Sequence, residues 1–173
     1  IQHNDPLTSL TGLDNLTSIG ERLSILNNNA LNSLTGLEGL TTIGANLEIK
    51  FNYALTNLIG LQNLTSIDGD LLILDNDALT SLMGLDNIDA GSIFELFIYF
   101  NYSLMTCEVQ SICDYLASPN GIFDIHSNDN GCNSIEEVDS ACVFLLSDEV
   151  NLQQAFSIYP NPSYTNITIE WPR

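Results

Sequence analysis

Positive charge is almost missing from this sequence. Three lysines and arginines stand against 22 aspartates and glutamates, for a formal charge of −19. Such a surface repels phosphate backbones and anionic lipid, so nucleic acid is excluded as a partner. Histidine is scarce too, with His3 and His126 far apart, which leaves little imidazole for general acid–base or zinc chemistry. No Gly-x-Ser-x-Gly elbow, His-Glu-x-x-His helix or phosphate loop occurs. Carboxylate pairs such as Asp75/Asp77 and Glu136/Glu137 are not marked out from the acidic background. No enzyme, catalytic residue, metal centre or cofactor is therefore expected. Apolar runs of the length needed for a spanning helix are absent as well. Cysteine is missing from the first 106 residues, and all four lie at Cys107, Cys113, Cys132 and Cys142.

What the chain does have is repetition. Leu7-Thr-Ser-Leu-Thr-Gly-Leu returns at Leu31, Leu55 and Leu79, each 24 residues after the last. A fixed period of this size predicts a solenoid in which each unit buries its apolar side only against its neighbours. Counting from Leu7, apolar residues fall at positions 1, 4, 7, 10, 13, 17 and 19, with glycine at 6 and asparagine at 22. The steps of three turn corners at Gly12, Gly36, Gly60 and Gly84; the step of two is a strand. Leu23-Ser-Ile25, Leu47-Glu-Ile49, Leu71-Leu-Ile73 and, after a one-residue insertion, Leu96-Phe-Ile98 thus predict one short parallel strand per unit. Asn28, Asn52, Asn76 and Asn101 follow three residues after the inward isoleucine. A side-chain amide is both donor and acceptor, so these asparagines are expected to form a structural ladder.

The unit Ile-x3-Leu-x-Ile-x2-Asn-x2-Leu, in phrases such as Asn63-Leu-Thr-Ser-Ile67 and Phe51-Asn-Tyr-Ala-Leu55, resembles the receptor L domain, the leucine-rich module of insulin-receptor-type ectodomains. It differs from ordinary leucine-rich repeats in the place of its asparagine. The resemblance covers about residues 1–142 and implies a mainly β chain, a right-handed parallel β-solenoid with an extracellular binding role. Phe156-Ser-Ile-Tyr-Pro160-Asn-Pro-Ser-Tyr-Thr-Asn-Ile-Thr-Ile-Glu170 reads as a strand, a Pro-Asn-Pro turn and an alternating strand. That stretch resembles the start of the C-terminal sorting domain of type IX secretion substrates in the Bacteroidetes. The likeness implies a protein secreted or held on the outer-membrane surface of a Gram-negative bacterium.

The domain reading follows: a leucine-rich solenoid over 1–142 with repeats at 7–103 and a cap at 104–142, a linker at 143–155, and a truncated sorting domain at 156–173. The apolar stretch Val143-Phe-Leu-Leu146 is expected to dock on the cap. Ile1 to Pro6 match positions 19 to 24 of a unit. The chain is accordingly expected to begin inside a coil, with Leu7, Leu10 and Leu13 uncovered, unpaired strand edges near Ile1, and self-association through that end. The four cysteines read as two disulfides with all three pairings open, because their spacings lack the Cys-x2-Cys unit of zinc sites. Glu108–Ala117 is expected as a capping helix entered through Thr106, Phe123-Asp-Ile125 with Asn128 as a last strand, and Ser134-x-x-Glu137 as the capping box of a second helix. His126 to Glu137 has an EF-hand-like layout with His126 in the first ligand place, which makes calcium a weak cofactor candidate and turn chemistry the stronger reading.

Function is then sought on exposed faces. Outward strand positions hold Ser24 and Leu26, Glu48 and Lys50, Leu72 and Leu74, then Phe97 and Tyr99. Apolar and aromatic character grows toward the C-terminal coils, as on a contact patch. The candidate binding residues are Leu72, Leu74, Phe97, Tyr99, Glu48 and Lys50, and the expected partner is an extracellular protein or polysaccharide. A structural spacer for an upstream effector is the alternative. Hydroxyl rows at Thr17-Ser18, Thr41-Thr42 and Thr65-Ser66 offer an ice- or polysaccharide-matching surface as a further one.

Overall fold

The computed structural model describes residues 1–143 and the strands Ile158–Pro160 and Ile167–Ile169. It is a mixed α/β structure of parallel sheets with two helices and two disulfides. The strands are β1 (Ser18–Ile19), β2 (Leu23–Leu26), β3 (Thr42–Ile43), β4 (Leu47–Lys50), β5 (Ser66–Ile67), β6 (Gly69–Leu74), β7 (Ile93–Tyr99) and β8 (Phe123–His126). The larger sheet runs β2-β4-β6-β7-β8 and the smaller β1-β3-β5, with parallel pairing throughout both. Register joins equivalent residues of successive repeats, as in Ile25↔Ile49↔Ile73↔Ile98↔Ile125. This is the pairing that the 24-residue period requires.

Between the two sheets lies one continuous core. Leu31, Leu34, Leu37, Leu40, Ile43, Leu47 and Ile49 of a single repeat are all fully buried, and each such side chain stabilises the fold by roughly 1.5–3 kcal/mol. The steps of three are chained β-turns: Leu37 N–H donates to Leu34 C=O (3.2 Å) and Leu40 N–H to Leu37 C=O (2.9 Å). In the first of these turns the third residue needs a positive φ, which Gly36 supplies at +110°. Room is as decisive as angle, because a Cβ on Gly36 would collide with the Leu10 carbonyl of the preceding repeat. The one-residue insertion is absorbed inside β7, where the register passes from Gly69↔Ile93 to Leu71↔Leu96; just ahead of it a 3-10 turn at Ala90–Ser92 is capped by Asp89, which accepts from Gly91 N–H at 3.0 Å. Ser92 Oγ takes the Ile67 N–H (3.1 Å), ending the smaller sheet.

A mainly β chain was expected, and the structure bears this out only in part. From Cys107 onward the backbone forms helices α1 (Gln110–Ala117) and α2 (135–143), joined to each other by Cys113–Cys142, while Cys107–Cys132 links the segments ahead of them. The first helix starts at Gln110 rather than Glu108: Val109 is its N-cap and gives no side-chain bond. Glu108 turns its carboxylate to Cys107 N–H instead (2.9 Å), and Thr106 pairs with Ser81 as an isolated bridge. Tyr115 of α1 is wholly buried and donates its hydroxyl to Phe94 C=O (2.9 Å). At α2, Ser134 Oγ accepts from Glu137 N–H (3.3 Å), while Glu137 caps Gly131 N–H (2.8 Å) and Asn133 N–H (2.9 Å) rather than Ser134 itself.

The helical segment reaches Val143, one residue into the expected linker. Residues 144–157, and with them the docking expected of Phe144 to Leu146, lie outside the described residues. Ile158–Pro160 and Ile167–Ile169 form a two-stranded antiparallel pair, β9 and β10. The first coil also departs from expectation. Ile1 to His3 are bonded to β2 through Gln2↔Leu26, Leu26 N–H to Ile1 C=O (2.9 Å) and His3 N–H to Leu26 C=O (3.1 Å). Leu10 is buried and Leu7 half-buried, so of the three leucines Leu13 alone is exposed (37 %). The turn bonds of the first repeat close as in the others and fold Leu10 over the second repeat.

Candidate recognition face

Behind the larger sheet's outer edge runs an asparagine ladder. Asn28 N–H donates to Asn52 Oδ1 (3.2 Å), Asn52 N–H to Asn76 Oδ1 (3.1 Å), Asn76 N–H to Asn101 Oδ1 (3.0 Å) and Asn101 N–H to Asn128 Oδ1 (3.1 Å). Each amide nitrogen donates back to the carbonyl of the inward isoleucine one repeat earlier, as Asn52 does to Ile25 (2.9 Å) and Asn76 to Ile49 (2.9 Å). Asn28, Asn52, Asn76 and Asn101 are fully buried. Asn4 joins at one end, through its N–H to Asn28 Oδ1 (3.1 Å). At the other end Asn128 donates to Cys132 C=O (2.9 Å). Before every ladder asparagine the chain turns left-handed, at His3, Asn27, Phe51, Asp75, Phe100 and Ser127, with φ between 54 and 59°. Residues with a Cβ are uncommon there. The turn swings the next side chain inward to the ladder.

The outward rows of the larger sheet are set by register. One reads Ser24, Glu48, Leu72, Phe97, Asp124; the other Leu26, Lys50, Leu74, Tyr99, His126. All six candidate binding residues therefore share one face, which extends to Asp124 and His126. The face is less open than expected: Leu74 is 8 % exposed and the other five are half-buried. Lateral packing accounts for this, since strands about 4.8 Å apart bring side chains of one row into contact. Tyr99 stacks on His126 (centroids 4.9 Å, 3° between planes), and Phe100 meets both edge-on.

Charge is confined to the two ends of these rows. Glu48 accepts from Ser24 Oγ (2.6 Å) and Lys50 Nζ (3.3 Å), with Arg22 Nε at 3.8 Å. Burial pushes the Glu48 carboxyl up, but the Ser24 hydroxyl, the Lys50 ammonium and the Arg22 guanidinium outweigh it and hold the carboxyl below its ordinary value. At the far end Asp124 lies 3.5 Å from His126 Nε2. Between them Leu72, Leu74, Phe97 and Tyr99 form an apolar centre.

Comparison with known proteins returns no match. No family model, curated protein or solved structure corresponds to this chain.

The other candidate surfaces separate clearly. In the smaller sheet Thr41 Oγ1 donates to Thr17 C=O and Thr65 Oγ1 to Thr41 C=O, both at 3.0 Å, aligning exposed hydroxyls in a row. The EF-hand-like loop is committed elsewhere: Asn128 Oδ1 is spent on Asn101 and Glu137 on backbone N–H groups. Among the described residues no group of three or more His, Cys, Asp or Glu could hold a metal ion. Nor is any helix among them long and apolar enough to cross a membrane. Sequence reasoning did not single out Asp124 or His126 as face residues, nor Phe100 and Tyr102 beside the face. The signal was there in the frame of Phe123-x-Ile125 and in the shared slots of Phe51 with Phe100 and Tyr53 with Tyr102.

Proposed function

We propose that this chain is a non-enzymatic recognition or adhesion module, secreted or held at a bacterial cell surface, that grips an extracellular protein or polysaccharide through the outer face of its larger sheet. In this reading the stacked repeats are a right-handed β-solenoid of the receptor L type, and residues 156–173 begin a type IX sorting domain. The observation that carries it is the arrangement along the two rows. Leu72, Leu74, Phe97 and Tyr99 sit between Arg22, Glu48 and Lys50 on one side and Asp124 and His126 on the other. An apolar, aromatic centre inside a charged rim is the anatomy of a protein interface. The same slots hold Ser24 and Glu48 in earlier repeats, so the fold itself does not demand apolar residues there. Two disulfides agree with an oxidising, extracellular setting.

Beads coated with the protein, offered to immobilised cellulose, chitin, alginate and mucin, test the reading. Leu72→Lys and Phe97→Lys place a charge on the face while their stems still cover the sheet. Attachment of the wild type to one of these surfaces, lost in both variants at unchanged melting temperature, supports it. Equal attachment of wild type and variants overturns it. The hydroxyl row Thr17, Thr41, Thr65 supports a second reading, binding to an ordered lattice such as ice. Thermal hysteresis that disappears on Thr41→Val would favour that reading over the first.

A further inference from the structure

Beside the outer face the chain turns a corner on which aromatic rings and carboxylates alternate from repeat to repeat. The left-handed slot holds Phe51, Asp75 and Phe100 in successive repeats, and the slot just after the ladder asparagine holds Tyr53, Asp77, Tyr102 and Asp129. Neighbours within a slot are in reach of one another, since in the first repeats Asn29 Nδ2 donates to Asp5 Oδ1 at 2.9 Å. Tyr53 and Tyr102 are 47 % and 62 % exposed. Phe100 lies 6.3 Å from Tyr102 and 5.2 Å from Tyr99, so the corner is continuous with the recognition face.

We propose that this corner binds arginine side chains of a protein partner. The charge argument comes from the whole sequence, which has only three cations of its own. Two of them, Arg22 and Lys50, are engaged by Glu48, and Asp75 and Asp77 have no ion-pair partner among the described residues. The two carboxylates feel each other: burial, and then the charge of Asp77, raises the Asp75 carboxyl above its ordinary value. An incoming cation removes that repulsion. The rings favour guanidinium, which stacks on an aromatic face while forking two N–H bonds to a carboxylate beside it. They do not suit a flat sugar chain. Phe100 stands at 84° to Tyr99, 85° to His126 and 39° to Tyr102, so at this corner Phe100 shares no plane with the rings around it.

The inference rests on the recognition reading and narrows its partner. Titration of the full chain with a hexa-arginine peptide, and separately with a chitosan hexamer, tests it. Asp75→Asn/Asp77→Asn and Tyr53→Ser/Tyr102→Ser should each weaken hexa-arginine binding by about tenfold or more. Glu21→Gln/Asp139→Asn, which removes the same charge from exposed sites elsewhere, should change it by less than about threefold. Loss equal to that control in both corner variants overturns the proposal, as does corner-dependent binding of chitosan without hexa-arginine. The bead assay is independent. Attachment lost in Leu72→Lys with an indifferent corner sinks the inference alone, whereas corner-dependent hexa-arginine binding without attachment to any surface sinks the adhesion reading alone.

Discussion

Replacing Asn52 by alanine removes one rung from the middle of the ladder. Its Oδ1 takes the buried N–H and the Nδ2 of Asn28, and its Nδ2 donates to Ile25 C=O, Lys50 C=O and Asn76 Oδ1. Lys50 C=O keeps the N–H of Asn27 (3.1 Å), Asn28 Nδ2 keeps Leu26 C=O (3.1 Å) and Asn76 Oδ1 keeps the backbone N–H of residue 52 (3.1 Å). The net loss is therefore one buried N–H left without an acceptor and one carbonyl short of a donor. At about 1–3 kcal/mol for a buried polar group left unpaired, Asn52→Ala should lower stability by about 2–4 kcal/mol. Against the roughly 5–15 kcal/mol of a typical domain this is a large fraction. Urea unfolding followed by circular dichroism measures it, with exposed Asn29→Ala as a control expected within about 0.5 kcal/mol of wild type.

Asn52→Asp separates hydrogen bonding from shape. The carboxylate keeps the bond from Asn28 N–H but faces two carbonyl oxygens without a proton to give, so its pKa in the fold rises above the unfolded value of about 3.9. A raised carboxyl stabilises the fold less as pH climbs through that window, because the folded state holds the extra proton. The deficit of Asn52→Asp should therefore shrink toward pH 3 and widen toward neutrality. An alanine variant no worse than Asn29→Ala, or an aspartate deficit flat with pH, would refute the account of the ladder.

Two further outcomes follow from the same geometry. Reducing both bridges should lower the melting temperature, since Cys107–Cys132 and Cys113–Cys142 close loops of sequence separation 25 and 29, worth roughly 2–4 kcal/mol each; a reduced protein that melts with the oxidised one would show that the helical end stands without them. Asp75→Asn should melt above wild type at pH 7. The raised Asp75 carboxyl opposes folding once ionised, so the advantage should fade as pH falls toward its ordinary value of 3.8 and be gone below it; a difference that persists at pH 3 would point to another cause.

The parallel strands, their register and the place of the asparagines were legible in the sequence because each is written several times over. A period of 24 and a two-residue step leave one frame in which Ile25, Ile49, Ile73 and Ile98 all point inward. What happens once was harder to read. Glu108 looked like a helix residue by composition, yet it caps Cys107 N–H, next to the Cys107–Cys132 bridge. The left-handed turn at Phe51 and Phe100 carries no glycine to announce it. Ladder geometry imposes it, and side-chain propensity is overruled. The openness of the outer face was overestimated because alternation tells which way Leu74 points but not how closely Lys50 and Tyr99 flank it.

The ladder also decides where this chain can change length. Between the inward isoleucine and the ladder asparagine the count never varies: Ile25 to Asn28, Ile49 to Asn52, Ile73 to Asn76, Ile98 to Asn101, Ile125 to Asn128. Between successive asparagines it does, since Asn76 reaches Asn101 across 25 residues and Asn101 reaches Asn128 across 27. The first surplus residue goes into β7 itself, between Ile93 and Leu96, and the second surplus into the arc around α1 ahead of β8. The molecule behaves like a ratchet with slack on one side of each tooth. Loops or tags grafted into the arc near Gly91 leave every tooth engaged, while a single residue added after Ile73 would put Asn76 out of reach of its neighbours on both sides.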